Sequence, residues 1–296
     1  MPQSEAWEDV PQDASLSFGK HFHDLLQAYR GGLVANSNGS LGSQGQFGGR
    51  RPILRVLMVR HGETAYNVQG IIQGQMDTPL NALGRKQALL TGRALANTPL
   101  DAVYSSPLQR TMDTAAAIHG SHPARAAIAV VPDDRLKERA FGSLEGKSYK
   151  GKKGDTIPGI EKTQELQDRV ASFWNDLIER EAKQAQEEQD RGDIRTVLLV
   201  GHGAALSALL EVLTPYALLE PGVQPSRLWN CSITEMAVFL PRLHAARTSN
   251  GESSASSWKV KPTHLLREAG AKGEQFERSV ALTRWAGECT KRARQT

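Results

Sequence analysis

The chain has 296 residues, 39% of them hydrophobic, so it is long and apolar enough for one large domain or two small ones with a sizeable core. Its formal net charge is +4, but its 36 Lys and Arg residues are interleaved with 32 acidic residues rather than gathered into a stripe, which argues against nucleic-acid binding. Its two cysteines, Cys231 and Cys289, form neither a CxxC motif nor a metal-type spacing, which argues against a disulfide framework and a zinc site.

The first 51 residues are expected to be a flexible N-terminal extension. The stretch "SFGKHFHDLLQAYR" could form a short helix, whereas residues 31–50 are dominated by Gly, Ser, Asn and Gln. Such a composition buries too little apolar surface to order itself, so residues 31–50 are predicted to be a linker.

The sequence gives no indication of a membrane or of secretion. No run approaches the roughly eighteen apolar residues that cross a bilayer. The acidic Glu5, Glu8, Asp9 and Asp13 argue against a secretory signal and against a mitochondrial presequence. We therefore expect a soluble cytoplasmic protein.

Residues 52–268 are predicted to form the folded domain, in which strand-like and helix-like segments alternate. The strand-like runs are "PILRVLMV", "DAVYSS", "AIAVV" and "RTVLLVG". Helix-like segments such as "NALGRKQALLTGRALANT" and "LQRTMDTAAAIHG" lie between them, and a long helix is predicted from Glu161 to about Gln189. This alternation predicts an α/β sandwich with a mostly parallel central sheet.

The end of the domain is predicted from two further strand-like runs. "CSITEMAVFL" and "SWKVKPTHLL" are expected to pair and to close the domain near residue 268. Residues 269–296 are then a C-terminal extension, for which we predict a peripheral helix.

Two of the predicted strands end directly on polar residues. Arg60 and His61 follow the first strand, and His202 and Gly203 follow "RTVLLV", where a helix begins at once. In open α/β sheets, ligands bind at the carboxyl ends of the strands, and helix N-termini present backbone N–H groups to anions. A single histidine after a strand is usually a hydrogen-bonded boundary residue, but two at one crevice favour a functional site.

A third strand end contributes another cation. In "VYSSPLQRTMDTA" the strand ends at Ser105 or Ser106, and Pro107 opens a helix that carries Arg110 in its first turn. Guanidinium groups match phosphate oxygens bidentately, and imidazoles add charge or a nucleophile. The two arginines and two histidines therefore predict a site for a phosphoryl group.

Phosphoryl transfer also needs a proton donor for the leaving oxygen. Glu138 in "DDRLKERAFGSLEGKSY" is a candidate, but composition does not distinguish it from Asp133, Asp134 and Glu145. A small basic cluster follows, which would either attract a second phosphate of the substrate or be a solvated loop: Lys147, Lys150, Lys152 and Lys153.

Six blocks of the sequence together resemble a known family. "RHGETAYN", "QGQMDTPLNALGRKQA", "SSPLQRTMDTA", "LKERAFGSLEGK", "VLLVGHGAALSALL" and "NCSITEM" follow one another in the order found in the histidine phosphatase superfamily, also called phosphoglycerate mutase-like. The resemblance covers about residues 53–265. It implies the family's three-layer αβα sandwich.

The resemblance implies roles for the residues at the strand ends. His61 is expected to be the nucleophile that forms a phosphohistidine, while Arg60, Arg110 and His202 hold the phosphoryl oxygens. Glu138 aligns with the acid that protonates the leaving group. Because the family requires no metal, we expect neither a metal ligand nor a cofactor.

Further residues are implied around the phosphate. Asn67 is expected to line the phosphate pocket, and Gly203 to contribute a backbone N–H group. Three residues are candidates for the substrate rim: Gln73, Thr78 and Asn230.

The departures from the family pattern bear on the substrate. The long insertion that the cofactor-dependent mutases carry after the Glu138 block is absent. The stretch "PGIEKTQELQDRV" resembles the fructose-2,6-bisphosphatase and broad sugar-phosphate phosphatase branch. Within it, the usual Gly-Glu-Ser/Thr element of the family has become "GIEKT". We expect a metal-independent phosphatase whose partner is a small phosphorylated metabolite such as a sugar phosphate or bisphosphate. The alternatives are a phosphoglycerate mutase that needs a bisphosphoglycerate primer, and a non-catalytic phosphoprotein-binding member.

Overall fold

The computed structural model describes residues 34–35, 41–42, 53–148, 157–187, 194–213, 217–219, 228–239 and 280–284. The chain divides into two compact units, residues 1–49 and 50–296. In the first unit, two short strands, β1 (Val34–Ala35) and β2 (Leu41–Gly42), pair antiparallel. They lie in the segment predicted to be an unstructured linker, so that prediction is wrong at these residues. The pairing joins backbone groups, which do not need the apolar core on which the prediction was based.

The second unit contains a seven-stranded sheet in the order β5-β4-β6-β3-β8-β9-β7. The strands from β5 to β3 are parallel, β8 is antiparallel to both of its neighbours, and β7 is parallel to β9. The prediction of a mostly parallel sheet is therefore confirmed. The strands are β3 (Ile53–Arg60), β4 (Ala102–Ser105), β5 (Val130–Pro132), β6 (Ile194–Gly201), β7 (Ala217–Leu219), β8 (Ile233–Phe239) and β9 (Val280–Arg284).

Helices connect these strands and pack against each other in pairs, α2 on α3 and α4 on α5. The helices are α1 (Ala65–Gln69), α2 (Ala82–Leu95), α3 (Gln109–Gly120), α4 (Thr163–Glu187) and α5 (Gly203–Leu213). Short 3-10 helices lie at Arg125–Ala127, Asp134–Leu136 and Gly142–Leu144. None of the described helices combines the length and the apolar character needed to cross a membrane.

The core extends over both faces of β3. Leu54, Val56 and Met58 form one cluster with side chains of α4 and α5, whereas Leu57 and Val59 point to the opposite face, and all five are at most 1% exposed. Apolar residues on both faces of a strand require a covering layer on each side. The αβα architecture thus agrees with the apolar run Val56–Val59 of β3, whose side chains are buried on both faces of the sheet.

The long helix predicted from Glu161 to about Gln189 is observed as α4. Its buried side chains recur at helical spacing, as the sequence indicates: Leu166, Val170, Phe173, Trp174, Leu177 and Ile178. The apolar stripe ends near Ala182, where the sequence becomes almost wholly charged.

The C-terminal prediction is wrong in part. β9 lies within residues 269–296, where a peripheral helix was predicted, and it pairs with β8 and β7 instead. Pairing supplies partners for the backbone groups of β8 that β3 leaves unused, and Val280 and Thr283 are β-branched. The second predicted closing strand, "SWKVKPTHLL", lies outside the described residues.

Candidate active site

The parallel pairing of β3 and β6 brings the two histidines together. Arg60 is the register partner of Gly201, so His61 and His202 follow neighbouring strands at one edge of the sheet. The N–H group of His61 donates to the carbonyl of Gly201 at 2.9 Å. The centroids of the two imidazole rings are 5.3 Å apart, with 57° between the planes. The crevice predicted from the two strand ends therefore contains both rings.

One nitrogen of His61 is oriented by the backbone. Nδ1 lies 2.7 Å from the carbonyl oxygen of Gly62, and because a carbonyl only accepts, Nδ1 carries the proton. Burial, followed by the positive charges of Arg60 and Arg110, lowers the pKa of His61 well below its usual value, against the hydrogen bond to Gly62, which raises it. The ring is therefore neutral near neutral pH, and Nε2 keeps its lone pair for attack.

His202 is oriented by a residue that the sequence did not single out. Its Nε2 lies 2.8 Å from Oγ of Ser106, and its Nδ1 is buried without a hydrogen-bond partner among the described residues. In the tautomer that carries its proton on Nδ1, Ser106 donates to Nε2 and the Nδ1–H group is available to a bound oxygen. The sequence marks Ser106 only as the possible end of a strand. Its place in the "SSPLQRT" block is the one feature of the sequence that could have indicated a role at the site.

The pKa of His202 is also lowered well below its usual value. Burial is the main cause, and the charges of Arg110, His61, Arg60 and Arg169 act in the same direction. A neutral donor beside two arginines is suited to a phosphoryl oxygen, since it adds a hydrogen bond without adding to the repulsion between cations.

These lowered pKa values predict a loss of stability in acid. Below pH 6.5, the usual pKa of histidine, the unfolded chain binds protons that the folded chain excludes from His61 and His202. The free energy of unfolding should then fall as the pH falls, by up to about 1.4 kcal/mol per pH unit for each histidine until the folded-state pKa is reached. Urea unfolding between about pH 7 and about pH 5 measures this slope. His61→Ala should show a smaller slope than the parent, and equal slopes would contradict the assignment.

Arg110 is held by two backbone carbonyls. Its Nη1 donates to the carbonyl of Met76 and its Nη2 to that of Gly74, both at 2.7 Å, and the side chain is 1% exposed. Burial lowers its pKa to about 10, which still leaves it charged at neutral pH. A guanidinium already fixed in this way does not need to be ordered when an anion binds.

Arg60 and Glu138 meet at the start of α5. Nη1 of Arg60 donates to the carbonyl of Leu228 at 2.7 Å. A Cβ atom at Gly203 would lie 3.6 Å from the guanidinium carbon of Arg60 and 3.9 Å from a carboxyl oxygen of Glu138. Gly203, predicted to supply a backbone N–H group, therefore lies next to both groups, and its lack of a side chain keeps this space open.

The carboxyl group of Glu138 caps α5. Oε1 accepts from the backbone N–H groups of Arg139 at 2.8 Å and Ala205 at 3.0 Å, and Oε2 accepts from Ala204 at 3.1 Å. The first N–H groups of a helix have no partner within the helix, so the two carboxyl oxygens supply acceptors for them. Glu138 thus lies beside His202, the residue that precedes α5.

The other acidic residues of this segment have different partners. Asp133 forms an ion pair with Arg135, and Asp134 with Lys137. Glu145 accepts through Oε1 from the N–H groups of Gln75 at 3.1 Å and Phe141 at 2.9 Å. Glu138 is therefore distinguished by its contact with α5, which composition could not show.

Asn67 and Asn230 are hydrogen-bonded to each other next to the backbone of His61. Nδ2 of Asn230 donates to the carbonyl of His61 at 3.0 Å and to Oδ1 of Asn67 at 3.3 Å. Oδ1 of Asn67 also accepts from the N–H group of Thr64 at 3.1 Å, in a capping box at the start of α1. Asn230, predicted at the rim, thus donates to the backbone of His61 and links it to Asn67.

Gln73 and Thr78 are linked through a hydroxyl network. Oε1 of Gln73 accepts from Oγ1 of Thr64 at 2.9 Å and from Oγ1 of Thr78 at 2.6 Å. Oγ1 of Thr78 lies 3.5 Å from Nη1 of Arg110. Thr64, which sequence reasoning missed, therefore joins both predicted rim residues to the segment that follows His61. Lys150, Lys152 and Lys153 lie outside the described residues, so a second phosphate site there stays a prediction.

The family model of the histidine phosphatase superfamily (branch 1) matches residues 56–245. The matched region contains the last five residues of β3 and all of β6, with His61 and His202 at their ends. The chain belongs to the histidine phosphatase superfamily. This confirms the resemblance seen in the six sequence blocks.

Among the described residues of this histidine phosphatase, no group of three His, Cys, Asp or Glu side chains is arranged to hold a metal ion.

Named relatives of this histidine phosphatase include phosphatases of different esters. A putative phosphoserine phosphatase 2 of Hydrogenobacter thermophilus is 30% identical over 191 residues, 60% of this chain and 83% of that protein. The fructose-2,6-bisphosphatase TIGAR of Xenopus tropicalis is 37% identical over 149 residues, 46% of this chain and 54% of that protein. A solved structure, a mycobacterial glucosyl-3-phosphoglycerate phosphatase, is 27% identical, covers 63% of this chain and 91% of its own, and superposes with a TM-score of 0.50. The family and these relatives support phosphatase as the activity.

Proposed function

We propose that this histidine phosphatase is a metal-independent phosphoric monoester hydrolase that acts on small phosphorylated metabolites through a phosphohistidine at His61. One observation carries the proposal: the hydrogen bond from Nδ1 to the carbonyl of Gly62 leaves Nε2 of a neutral His61 as a nucleophile, next to the charges of Arg60 and Arg110. Phosphoryl transfer asks mainly for positioning and for stabilisation of negative charge, which fixed cations supply.

The reaction would proceed in two transfers. With the phosphoryl oxygens held by Arg60, Arg110 and His202, Nε2 of His61 attacks phosphorus and the bond to the leaving oxygen breaks. Glu138 gives that oxygen its proton. A water molecule then attacks the phosphohistidine, its proton returns to Glu138, and inorganic phosphate and neutral His61 are released.

The class of substrate follows from what the relatives share. Their names specify phosphoserine, a fructose bisphosphate and glucosyl-3-phosphoglycerate, which have in common only a phosphate ester on a small, polar metabolite. Sugar phosphates and bisphosphates are therefore the first substrates to test. Only a short stretch separates Glu145 from α4, which favours hydrolysis over the mutase reaction.

Phosphate release from a panel of esters tests the proposal. The panel contains sugar phosphates, phosphoserine, phosphoglycerates and fructose 2,6-bisphosphate, with and without a chelator, using the parent and His61→Ala. We expect release that is insensitive to the chelator and absent from the variant. Exchange between phosphoglycerate isomers without net release would indicate a mutase, and binding of a phosphoprotein without turnover of any ester would indicate a binding protein.

Glu138→Gln should show the role of the carboxyl group. The amide has a similar shape but cannot give a proton to the leaving oxygen, so kcat/KM for a sugar phosphate, which reports the steps up to the first transfer, should fall by about 10²-fold or more. For p-nitrophenyl phosphate, whose leaving group needs no proton, the fall should be only a few-fold. Glu145→Gln, at another carboxyl that accepts backbone hydrogen bonds, is the matched control. Equal losses on both esters would contradict the assignment of Glu138.

A further inference from the structure

The guanidinium group of Arg169, on α4, is bound to the segment that carries Glu138. Its Nη1 donates to the carbonyls of Arg135 and Lys137, both at 2.8 Å. Its Nη2 donates to the carbonyl of Glu138 itself at 3.0 Å. Residues 135–138 follow β5 and pair with no strand in the described part of the chain, so no sheet ladder there holds these carbonyls. One side chain thus anchors the backbone on the N-terminal side of Glu138.

The same guanidinium also binds Glu161. Nε lies 2.6 Å from Oε1 and Nη2 lies 2.9 Å from Oε2, so the ion pair is bidentate. The two side chains are 19% and 12% exposed. Burial alone would raise the pKa of Glu161, but the hydrogen bond and charge of Arg169 hold it below its usual value. All five N–H bonds of Arg169 therefore have acceptors.

Glu161 in turn anchors the backbone on the C-terminal side of Glu138. Its Oε2 accepts from the N–H group of Ala140 at 3.1 Å, and its own N–H group donates to the carbonyl of Ala140 at 2.8 Å. Its carbonyl accepts from Nε of Arg139 at 2.8 Å. The Arg169–Glu161 pair therefore holds the chain on both sides of Glu138. Glu161 belongs to the "GIEKT" element, the departure from the family pattern that the sequence showed.

We propose that Arg169 is a positioning residue that acts through Glu138. It keeps residues 135–138 in place so that the carboxyl group reaches the start of α5, beside the phosphoryl site. The inference rests on the proposed function, because it concerns proton delivery to the leaving oxygen. A shift of about 1 Å at a catalytic group can cost about 10²-fold in rate, so loss of the anchor should matter although Arg169 lies outside the phosphate contacts.

Arg169→Lys tests the proposal, because a lysine has one nitrogen and cannot serve three carbonyls and a carboxylate. We expect kcat/KM for a sugar phosphate to fall by about 10-fold or more, and kcat/KM for p-nitrophenyl phosphate by less than about 3-fold. In the Glu138→Gln background the same substitution should have little further effect, since the group through which it acts is already lost. Arg180→Lys, on the same helix but bonded to the hydroxyl of Tyr104, is the matched control.

Each outcome separates the two claims. Equal losses on both esters, or a full additional loss in the Glu138→Gln background, would assign Arg169 a general structural role and overturn the inference. Unchanged hydrolysis by His61→Ala, or none by the parent, would overturn the proposed function instead. If Arg169→Lys does not fold, as judged by circular dichroism, Glu161→Gln weakens the same anchor. That variant should show the same difference between the two esters, and equal losses there would overturn the inference as well.

Discussion

His61→Ala should form no phosphoenzyme and should lose at least about 10⁴-fold in kcat, equivalent to about 5 kcal/mol of transition-state stabilisation. The reason is that the substitution removes the proposed nucleophile, while the charges of Arg60 and Arg110 remain. Phosphate binding should therefore persist. Incubation with a radiolabelled phosphate ester, followed by denaturation in alkali, which preserves phosphohistidine, measures the covalent intermediate directly.

His119→Ala is the control for this experiment. His119 lies on α3 and its Nε2 is 2.6 Å from the carbonyl of Ile128, outside the cluster around His61. This variant should form the phosphoenzyme as the parent does. If His61→Ala were labelled and turned over at the parent rate, another residue would be the nucleophile.

Arg110→Lys should have the second largest effect, a fall of about 10³-fold in kcat/KM. Lysine keeps the charge but loses the planar fork, which can bind a phosphoryl oxygen while it donates to the carbonyls of Gly74 and Met76. The loss has two parts: weaker stabilisation of the phosphoryl oxygens and a less ordered segment at residues 73–78. Both the dissociation constant of inorganic phosphate and kcat/KM should be measured.

The matched control is Arg85→Lys. Nη1 of Arg85 also donates to a backbone carbonyl, that of Leu80 at 2.6 Å, so the substitution removes a similar contact. Its catalytic parameters should stay close to those of the parent. Phosphate affinity and kcat/KM within about 3-fold of the parent in Arg110→Lys would show that charge alone suffices at this position, contrary to the geometry.

Arg60 and Arg110 have the same kind of hydrogen-bond partner. Backbone carbonyls orient both arginines: those of Gly74 and Met76 accept from Arg110, and that of Leu228 accepts from Arg60. A carbonyl fixes a guanidinium without cancelling its charge. Arg110 keeps its charge at neutral pH although it is buried, because its pKa is lowered only to about 10.

Local sequence information was sufficient for much of the fold and for placing Arg60 and His61 at the end of a buried strand. The apolar run of β3, followed at once by Arg60 and His61, predicts a buried strand that ends at a ligand site, and the same pattern recurs at β6. The apolar run of a strand and the helical spacing of apolar residues are both patterns of a few residues. The long helix α4 was therefore also predicted nearly to its ends. The order of the six blocks was enough to identify the family.

Contacts between distant parts of the chain decided the rest. Composition did not distinguish Glu138 from the acids near it, and the resemblance only implied its role; the structure adds that α5, more than sixty residues later, presents N–H groups to its carboxyl group. Ser106 and Arg169 act through partners far away in sequence, and β9 is a strand because β8 offers it an edge. The sequence by itself determined which segments are buried and which residue types stand at their ends. Only the tertiary structure decided which backbone groups, which hydroxyl and which arginine bond to His202 and Glu138, because hydrogen bonding depends on distance in space and not on spacing along the chain.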